Sequence, residues 1–366
     1  ATPFRLALPG YFPKPALPLD NPLTDEGVEL GRRLFNDPQL SVNNRQSCAH
    51  CHQPDIAFSD GQQFSSGAEG RVGTRNAMGL FNLAWKTSFF WDGRAASLRE
   101  QVLMPIQNPI EMNQPLSLLP AKLAALPDRA APKTGVMRAG FRDPDSIRVP
   151  CAAARMALEP DASRGYPRLF ARAFGTSEIN ADRIARALEQ FLLVQTSDDS
   201  RFDRVLRNEA EFSDEEKRGF ELFHAEFDPR RGQRGADCFH CHGGPLFQSQ
   251  AFANNGLAAS VTDSGRAAVT GKTGDAGKFA VPSLRNVAIT APYMHDGRFT
   301  RLEQVIEHYS TGIHRSDTLD PNLAKHPDGG IPLSTADKRA LVSFLRTLTD
   351  ERLAPNRVNV ALLPQK

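Results

Sequence analysis

The chain has 366 residues, with 44 basic against 42 acidic side chains and a net charge of +2. No Lys/Arg-rich block appears, which speaks against nucleic acid as a partner, and no apolar run is long enough to span a bilayer. The length suggests two domains. With 27 Gly, 27 Pro and few alternating apolar stretches, the expected fold is mainly α, with long irregular loops between helices.

The opening "ATPFRL" shows neither the basic region nor the apolar core of a signal peptide. It reads as the start of a mature chain left by signal cleavage. The first helix is expected in "TDEGVELGRRLFNDPQLSVNNRQSCAHCH", where Thr24 precedes Asp25-Glu26 as an N-cap. "SDEEKRGFELFHAEFDPRRGQRGADCFHCH" repeats the plan, with Ser213 and Glu216 spaced for a capping box. Each copy has Gly, two residues, then Leu-Phe (Gly31 to Phe35, Gly219 to Phe223) before a polar loop and Cys-x-x-Cys-His. This weak duplication implies two similar lobes, at 1–205 and 206–366. Between the copies, the 127–165 stretch is rich in Pro, Arg and Asp without sustained period, and reads as a surface excursion. "INADRIARALEQFLLVQ" is a strongly periodic amphipathic helix that closes the first lobe, and "TSDDSRFDRVLRNEAEF" leads into the second. The tail carries two more helices, "RLEQVIEHYSTG" and "LSTADKRALVSFLRTL", the latter with Ser334 as N-cap.

Four of the five cysteines form the pairs Cys48/Cys51 and Cys238/Cys241, followed directly by His52 and His242. Two thiols that add to the vinyl groups of a haem, and an imidazole placed to bind its iron, fit on one helical turn in this motif. A four-cysteine zinc site is the alternative. It leaves both histidines without a role and must bring together pairs far apart in the chain. Two covalent c-type haems are therefore expected, with His52 and His242 as proximal ligands. His50 and His240 point elsewhere, to the surface or the propionate side. Thioether attachment agrees with export, and so with a periplasmic location. Cys151 is read as a buried small apolar residue.

Three stretches beyond the anchors carry a resemblance. The two Cys-x-x-Cys-His motifs, "FFWDGRAASLREQVLMPIQNPIEM" (89–112) and "FAVPSLRNVAITAPYMHDGRFTRLEQVIEHY" (279–309) resemble the bacterial dihaem cytochrome c peroxidase/MauG superfamily in order and content. The resemblance implies two cytochrome-c-like haem lobes face to face, with a calcium ion between them held by Asn76 and the carbonyls of Thr290 and Pro292; oxygen donors suit that ion. Tyr309 matches the position that closes the second iron in the MauG-like branch, where conventional relatives supply Met. A phenolate stabilises high oxidation states, whereas a thioether raises the reduction potential. His308 and Met294 are the competing side chains. Adjacent helical residues point about 100° apart, so only one of Tyr309 and His308 faces the iron.

The loop after the first anchor, "QPDIAFSDGQQFSSGAEGRVGTR", holds no His or Met, so the first iron is expected to stand open to peroxide. Family correspondence makes Glu111 the distal acid–base group, with Gln101 and Pro105 beside it and Trp91 between the haems as a relay. In place of a second relay Trp before the second anchor, this chain has Ala236-Asp237. The leading expectation is a MauG-like enzyme that reacts with hydrogen peroxide and spreads two oxidising equivalents over both haems, a bis-Fe(IV)-type state. It would then oxidise a residue of a partner protein, such as a Trp, over a distance. The alternatives are a conventional peroxidase fed by a small cytochrome or cupredoxin, and a pure electron-transfer dihaem cytochrome.

Overall fold

Two helix pairs organise the molecule, and each is built on the Gly-x-x-Leu-Phe repeat. In the computed structural model, which describes residues 1–126, 165–326 and 329–353, the Asp25–Asn36 helix packs on the Ala181–Leu193 helix. Gly31 stands at their crossing. A Cβ there would lie 1.9 Å from the Ala187 carbonyl oxygen and 2.7 Å from Phe191 Cβ. The Asp214–His224 helix packs in the same way on the Thr335–Arg346 helix. A Cβ on Gly219 would lie 1.9 Å from the Ala340 carbonyl oxygen and 2.7 Å from Phe344 Cβ. In both pairs the crossed carbonyl and the crossed Phe are four residues apart, one helical turn. The repeat therefore encodes a backbone-to-backbone approach that any side chain would push apart. Leu34, Phe35, Leu222 and Phe223 enter the core beside these glycines.

Helix starts follow from local polar chemistry. The Thr24 hydroxyl accepts from Gly27 N at 3.1 Å. Ser213 and Glu216 form the reciprocal pair, Ser213 N to Glu216 Oε2 at 2.7 Å and Glu216 N to Ser213 Oγ at 3.3 Å. Ser334 accepts from Asp337 N at 3.1 Å. The tail helix expected at 301–312 spans Leu302–Thr311. Sheet is limited to two antiparallel ribbons among the described residues, Phe227–Asp228 with Gln233–Arg234 and Phe252–Ala253 with Phe279–Ala280. Residues 127–164, with Cys151, lie outside the described residues. No helix among those described is long and apolar enough to cross a membrane.

Buried apolar side chains form two clusters. One runs from Leu23 to Val194 with Ile289 and Leu353; the other runs from Phe202 to Leu348. Polar groups join the segments around the second. Asp203, on the short Arg201–Leu206 helix, and Arg285 are both fully buried. They form a two-pronged pair, Arg285 Nη1 to Asp203 Oδ2 at 2.7 Å and Nη2 to Oδ1 at 2.8 Å. The same carboxylate accepts from Tyr11 Oη at 2.8 Å and from Ser200 N at 2.8 Å. Arg285 Nε donates to the Pro245 carbonyl at 2.8 Å. One ion pair thus ties the N-terminal segment, the 200–206 helix and the two loops around the second anchor.

Burial by itself would raise the Asp203 pKa; the hydrogen bonds and charge of Arg285 more than offset it and hold the carboxyl below its usual value. A depressed carboxylate stabilises the fold at pH above its unfolded pKa. That stability is lost as pH falls through the lower folded value. Asp203→Ala strands a buried guanidinium, and chemical denaturation of the holoprotein at neutral pH is expected to show a loss of about 3–5 kcal/mol. A loss under about 1 kcal/mol, the scale of an exposed pair, would refute the structural weight placed on this contact.

Candidate active site

A cavity of about 1090 Å³ is lined by residues of both clusters and by both Cys-x-x-Cys-His motifs. It slightly exceeds the range of ordinary small-molecule sites, roughly 300–1,000 Å³. The first anchor lies on the short Cys48–Cys51 helix, whose start is closed by Ser47 N donating to His50 Nδ1 at 3.0 Å. This turns His50 outward, and it is exposed. The second lies at the Phe239–His242 helix; His240 there is exposed and pairs with Glu226 at 2.9 Å. All four motif cysteines are unbridged and line the cavity.

Each motif histidine is oriented by its own loop. His52 Nδ1 lies 2.8 Å from the Phe58 carbonyl. His242 Nδ1 faces the carbonyls of Phe247 at 3.2 Å and Pro282 at 3.1 Å. A carbonyl can only accept, so Nδ1 carries the proton and Nε2 keeps its lone pair. This is the usual outer bond of a metal-binding imidazole. Burial pushes the His52 pKa down and that of His242 down to about 4, which keeps both rings neutral. Two thiols and an Nε2 at each anchor, in an apolar cavity, fit two covalent haems.

The remaining expected residues converge on the same space. Gln101, Pro105, Glu111, Trp91, Asn76, Thr290, Pro292 and Tyr309 all line it. Gln101 and Pro105 come from the Leu98–Gln107 helix, and Glu111 from the turn after it. Glu111 Oε1 accepts from Asn108 Nδ2 at 2.7 Å. Its carbonyl accepts from Ala68 N at 2.7 Å, so the ligand-poor loop after the first anchor braces this turn. Burial raises the Glu111 pKa, with Asn108 and the charge of Arg94 acting against it. Trp91 Nε1 donates to the Asn76 carbonyl at 2.9 Å. Asn76 Nδ2 donates to the Gln62 carbonyl at 2.8 Å, which turns the amide and leaves Oδ1 as its oxygen donor for a cation. That orientation fits a calcium ligand.

The geometry separates the competitors around the second anchor unequally. His308 is buried and points away, its Nε2 2.9 Å from the Asn255 carbonyl. Tyr309 faces the cavity, and its hydroxyl accepts from Asn255 Nδ2 at 3.3 Å. Met294 faces it too, with Sδ 3.4 Å from the same Nδ2. Burial pushes the Tyr309 phenol up to about 12.

Sequence reasoning passed over several cavity residues. Arg75 spans Asp92 at 2.6 Å and Asp263 at 2.8 Å. Lys86 donates to the Val281 carbonyl at 3.1 Å, and burial lowers its pKa to about 8. His295 stacks on Phe279 at 3.6 Å. Arg75 and Lys86, cations facing an apolar cavity, suit the carboxylates of a haem, while burial lowers the His295 pKa and favours its neutral ring. His295 stands inside the 279–309 stretch with no role read from it there, and Arg75 and Lys86 gain partners from distant parts of the chain. Asn255, the contact shared by Tyr309 and Met294, was likewise missed.

The family model described as di-haem cytochrome c peroxidase matches residues 25–211. The methylamine utilization protein MauG of Methylorubrum extorquens is 34% identical over 351 residues, 95% of this chain and 84% of that protein. Cytochrome c551 peroxidase of Pseudomonas aeruginosa is 30% identical, over 94% of this chain and 83% of its own. Among solved structures, a MauG-like protein associated with microbial copper homeostasis superposes with a TM-score of 0.74 at 32% identity, covering 97% of this chain and 98% of that one.

Replacing Cys238 and Cys241 with Ser removes the thiols of one anchor only. Acid–acetone extraction of the double variant is expected to release one haem and leave the other bound, where the wild type releases none. Two haems retained in the variant would exclude this anchor.

Proposed function

Since the chain belongs to the dihaem cytochrome c peroxidase/MauG family and is a haem-dependent oxidoreductase, we propose that it works in the MauG manner: it reacts with hydrogen peroxide and oxidises a residue of a partner protein at a distance. The observation that carries this reading is Tyr309 facing the second anchor while His308 is turned away. Haem iron, when bound, supplies the centre at which peroxide is reduced and a store for the oxidising equivalents.

The chain's own groups divide the work. His52 and His242 hold the two proximal positions. Glu111 takes the proton from the near oxygen of peroxide and returns it to the leaving oxygen, while Gln101 and Pro105 shape the space beside it. The 53–75 loop offers no His or Met to block that space. The Tyr309 phenol, buried and weakly acidic, yields its proton only to something that replaces it, such as ferric iron. Trp91, anchored by its N–H, lines the cavity that both motifs share and relays electrons by transient loss of one. Asn76, Thr290 and Pro292 would hold calcium against that wall, and a periplasmic location accords with thioether attachment.

Met294 favours a second reading. Its sulfur shares Asn255 with Tyr309, and a thioether at the second iron would make this a conventional peroxidase. Stoichiometric peroxide added to the diferric holoprotein distinguishes the two. The MauG-like reading expects a long-lived absorption change involving both haems, lost or altered in Tyr309→Phe. A ferric spectrum of His/Met ligation at the second haem, unchanged by that substitution, would overturn it.

Glu111 must be ionised to act as a base, and burial raises its pKa. The rate of reaction with peroxide is therefore expected to fall, as pH drops, through a value above the ordinary glutamate range. Glu111→Gln should slow the step by about 10²–10⁴-fold and flatten that limb. An unchanged stopped-flow profile would remove Glu111 from the role.

A further inference from the structure

The buried carboxylate that anchors the fold also accepts a hydrogen bond from a half-buried tyrosine, and that contact leads back to the second anchor. His242 Nδ1 faces the Phe247 carbonyl at 3.2 Å. The same carbonyl accepts from Leu284 N at 3.0 Å. The next residue, Arg285, grips Asp203 at 2.7 and 2.8 Å, and Asp203 Oδ1 accepts from Tyr11 Oη at 2.8 Å. An aromatic path runs alongside. The Arg285 guanidinium lies 5.9 Å from the Phe247 ring centre and 4.9 Å from that of Phe12. Phe12 stands edge-on to Tyr11 at 5.5 Å and to Trp85 at 5.4 Å.

We propose that Tyr11 is a redox-active residue, a terminal relay that carries an oxidising equivalent from the second anchor to the surface and shifts its phenolic proton to Asp203 as its electron leaves. The inference rests on the MauG-like reading. One electron passes from Tyr11 to the peroxide-oxidised haem site, and one proton moves along the existing hydrogen bond to Asp203 Oδ1. The neutral tyrosyl radical then takes one electron from an oxidisable aromatic side chain of a docked protein, and the proton returns.

The chemistry singles out Tyr11 among the four tyrosines. Oxidation makes a phenol strongly acidic, so a tyrosine is oxidised readily only where a base already holds its proton. Tyr293 donates to the Val287 carbonyl, which cannot keep a proton. Tyr309 faces the second haem site itself. Tyr166 does meet a carboxylate, Asp37, but it is fully buried in the first cluster, out of reach of a docked protein. Trp85 donates its N–H to the Pro13 carbonyl, again no proton acceptor. Tyr11 combines a carboxylate, a partly exposed position and continuity with His242.

The test adds one equivalent of hydrogen peroxide to the holoprotein, freezes it at intervals, and follows electron paramagnetic resonance together with haem absorption. The expected result is a tyrosyl signal that narrows with ring-deuterated tyrosine. In Tyr11→Phe, which keeps the ring and Asp203's bonds to Arg285 and Ser200, that signal disappears and the oxidised haem spectrum decays several-fold more slowly. Tyr166→Phe should change neither. A tyrosyl signal and decay rate unaltered in Tyr11→Phe overturn the relay, as does an oxidised haem spectrum in the wild type with no tyrosyl signal. If peroxide produces no spectrum involving both haems even in the wild type, the MauG-like reading fails first and the relay with it.

Discussion

The Asp203–Arg285 pair is the contact on which the second half of the molecule depends. Two fully buried charges are tolerable because every direction around them is filled: Arg285 has Asp203 and the Pro245 carbonyl, and Asp203 has Tyr11 and Ser200 as well. Those partners come from four separate segments. Arg285 follows Leu284, whose N–H shares the Phe247 carbonyl with His242. The ion pair therefore fixes the loop that orients the His242 imidazole.

The two anchors are alike locally and unlike in what faces them. Both place paired thiols and a carbonyl-tethered imidazole on the cavity. Over the first, the chain offers Gln101, Pro105 and Glu111, with Glu111's turn held by the ligand-poor loop through Ala68. Over the second, it offers Tyr309 and Met294, joined through Asn255. A carboxyl held in a braced turn on one side, and a phenol and a thioether sharing one amide on the other, make the two surroundings chemically different. The chain is similar to both MauG and cytochrome c551 peroxidase, at 34% and 30% identity.

Some of this was readable from short-range chemistry. Cys-x-x-Cys-His announces a covalent haem within five residues, and Ser213 with Glu216 announces a helix start within four. The Gly-x-x-Leu-Phe repeat signalled duplication, but not its cause. Gly31 and Gly219 recur because each lies under a carbonyl, Ala187 or Ala340, more than a hundred residues away. Lys86 and Arg75 carried no signal, since a cation looks solvated in the sequence until the fold buries it. Arg285 was quoted within a family motif without its role being visible, because Asp203 lies 82 positions earlier.

By itself, then, the sequence determined the two Cys-x-x-Cys-His motifs, the helix starts around them, and a first loop empty of His and Met. These are set by residues within one or two turns of each other, where spacing dictates geometry. Only the tertiary structure decided which of His308, Tyr309 and Met294 face the second anchor, and which cations and carboxylates lose their water. Direction and burial depend on neighbours brought from elsewhere in the chain, and no local pattern encodes them.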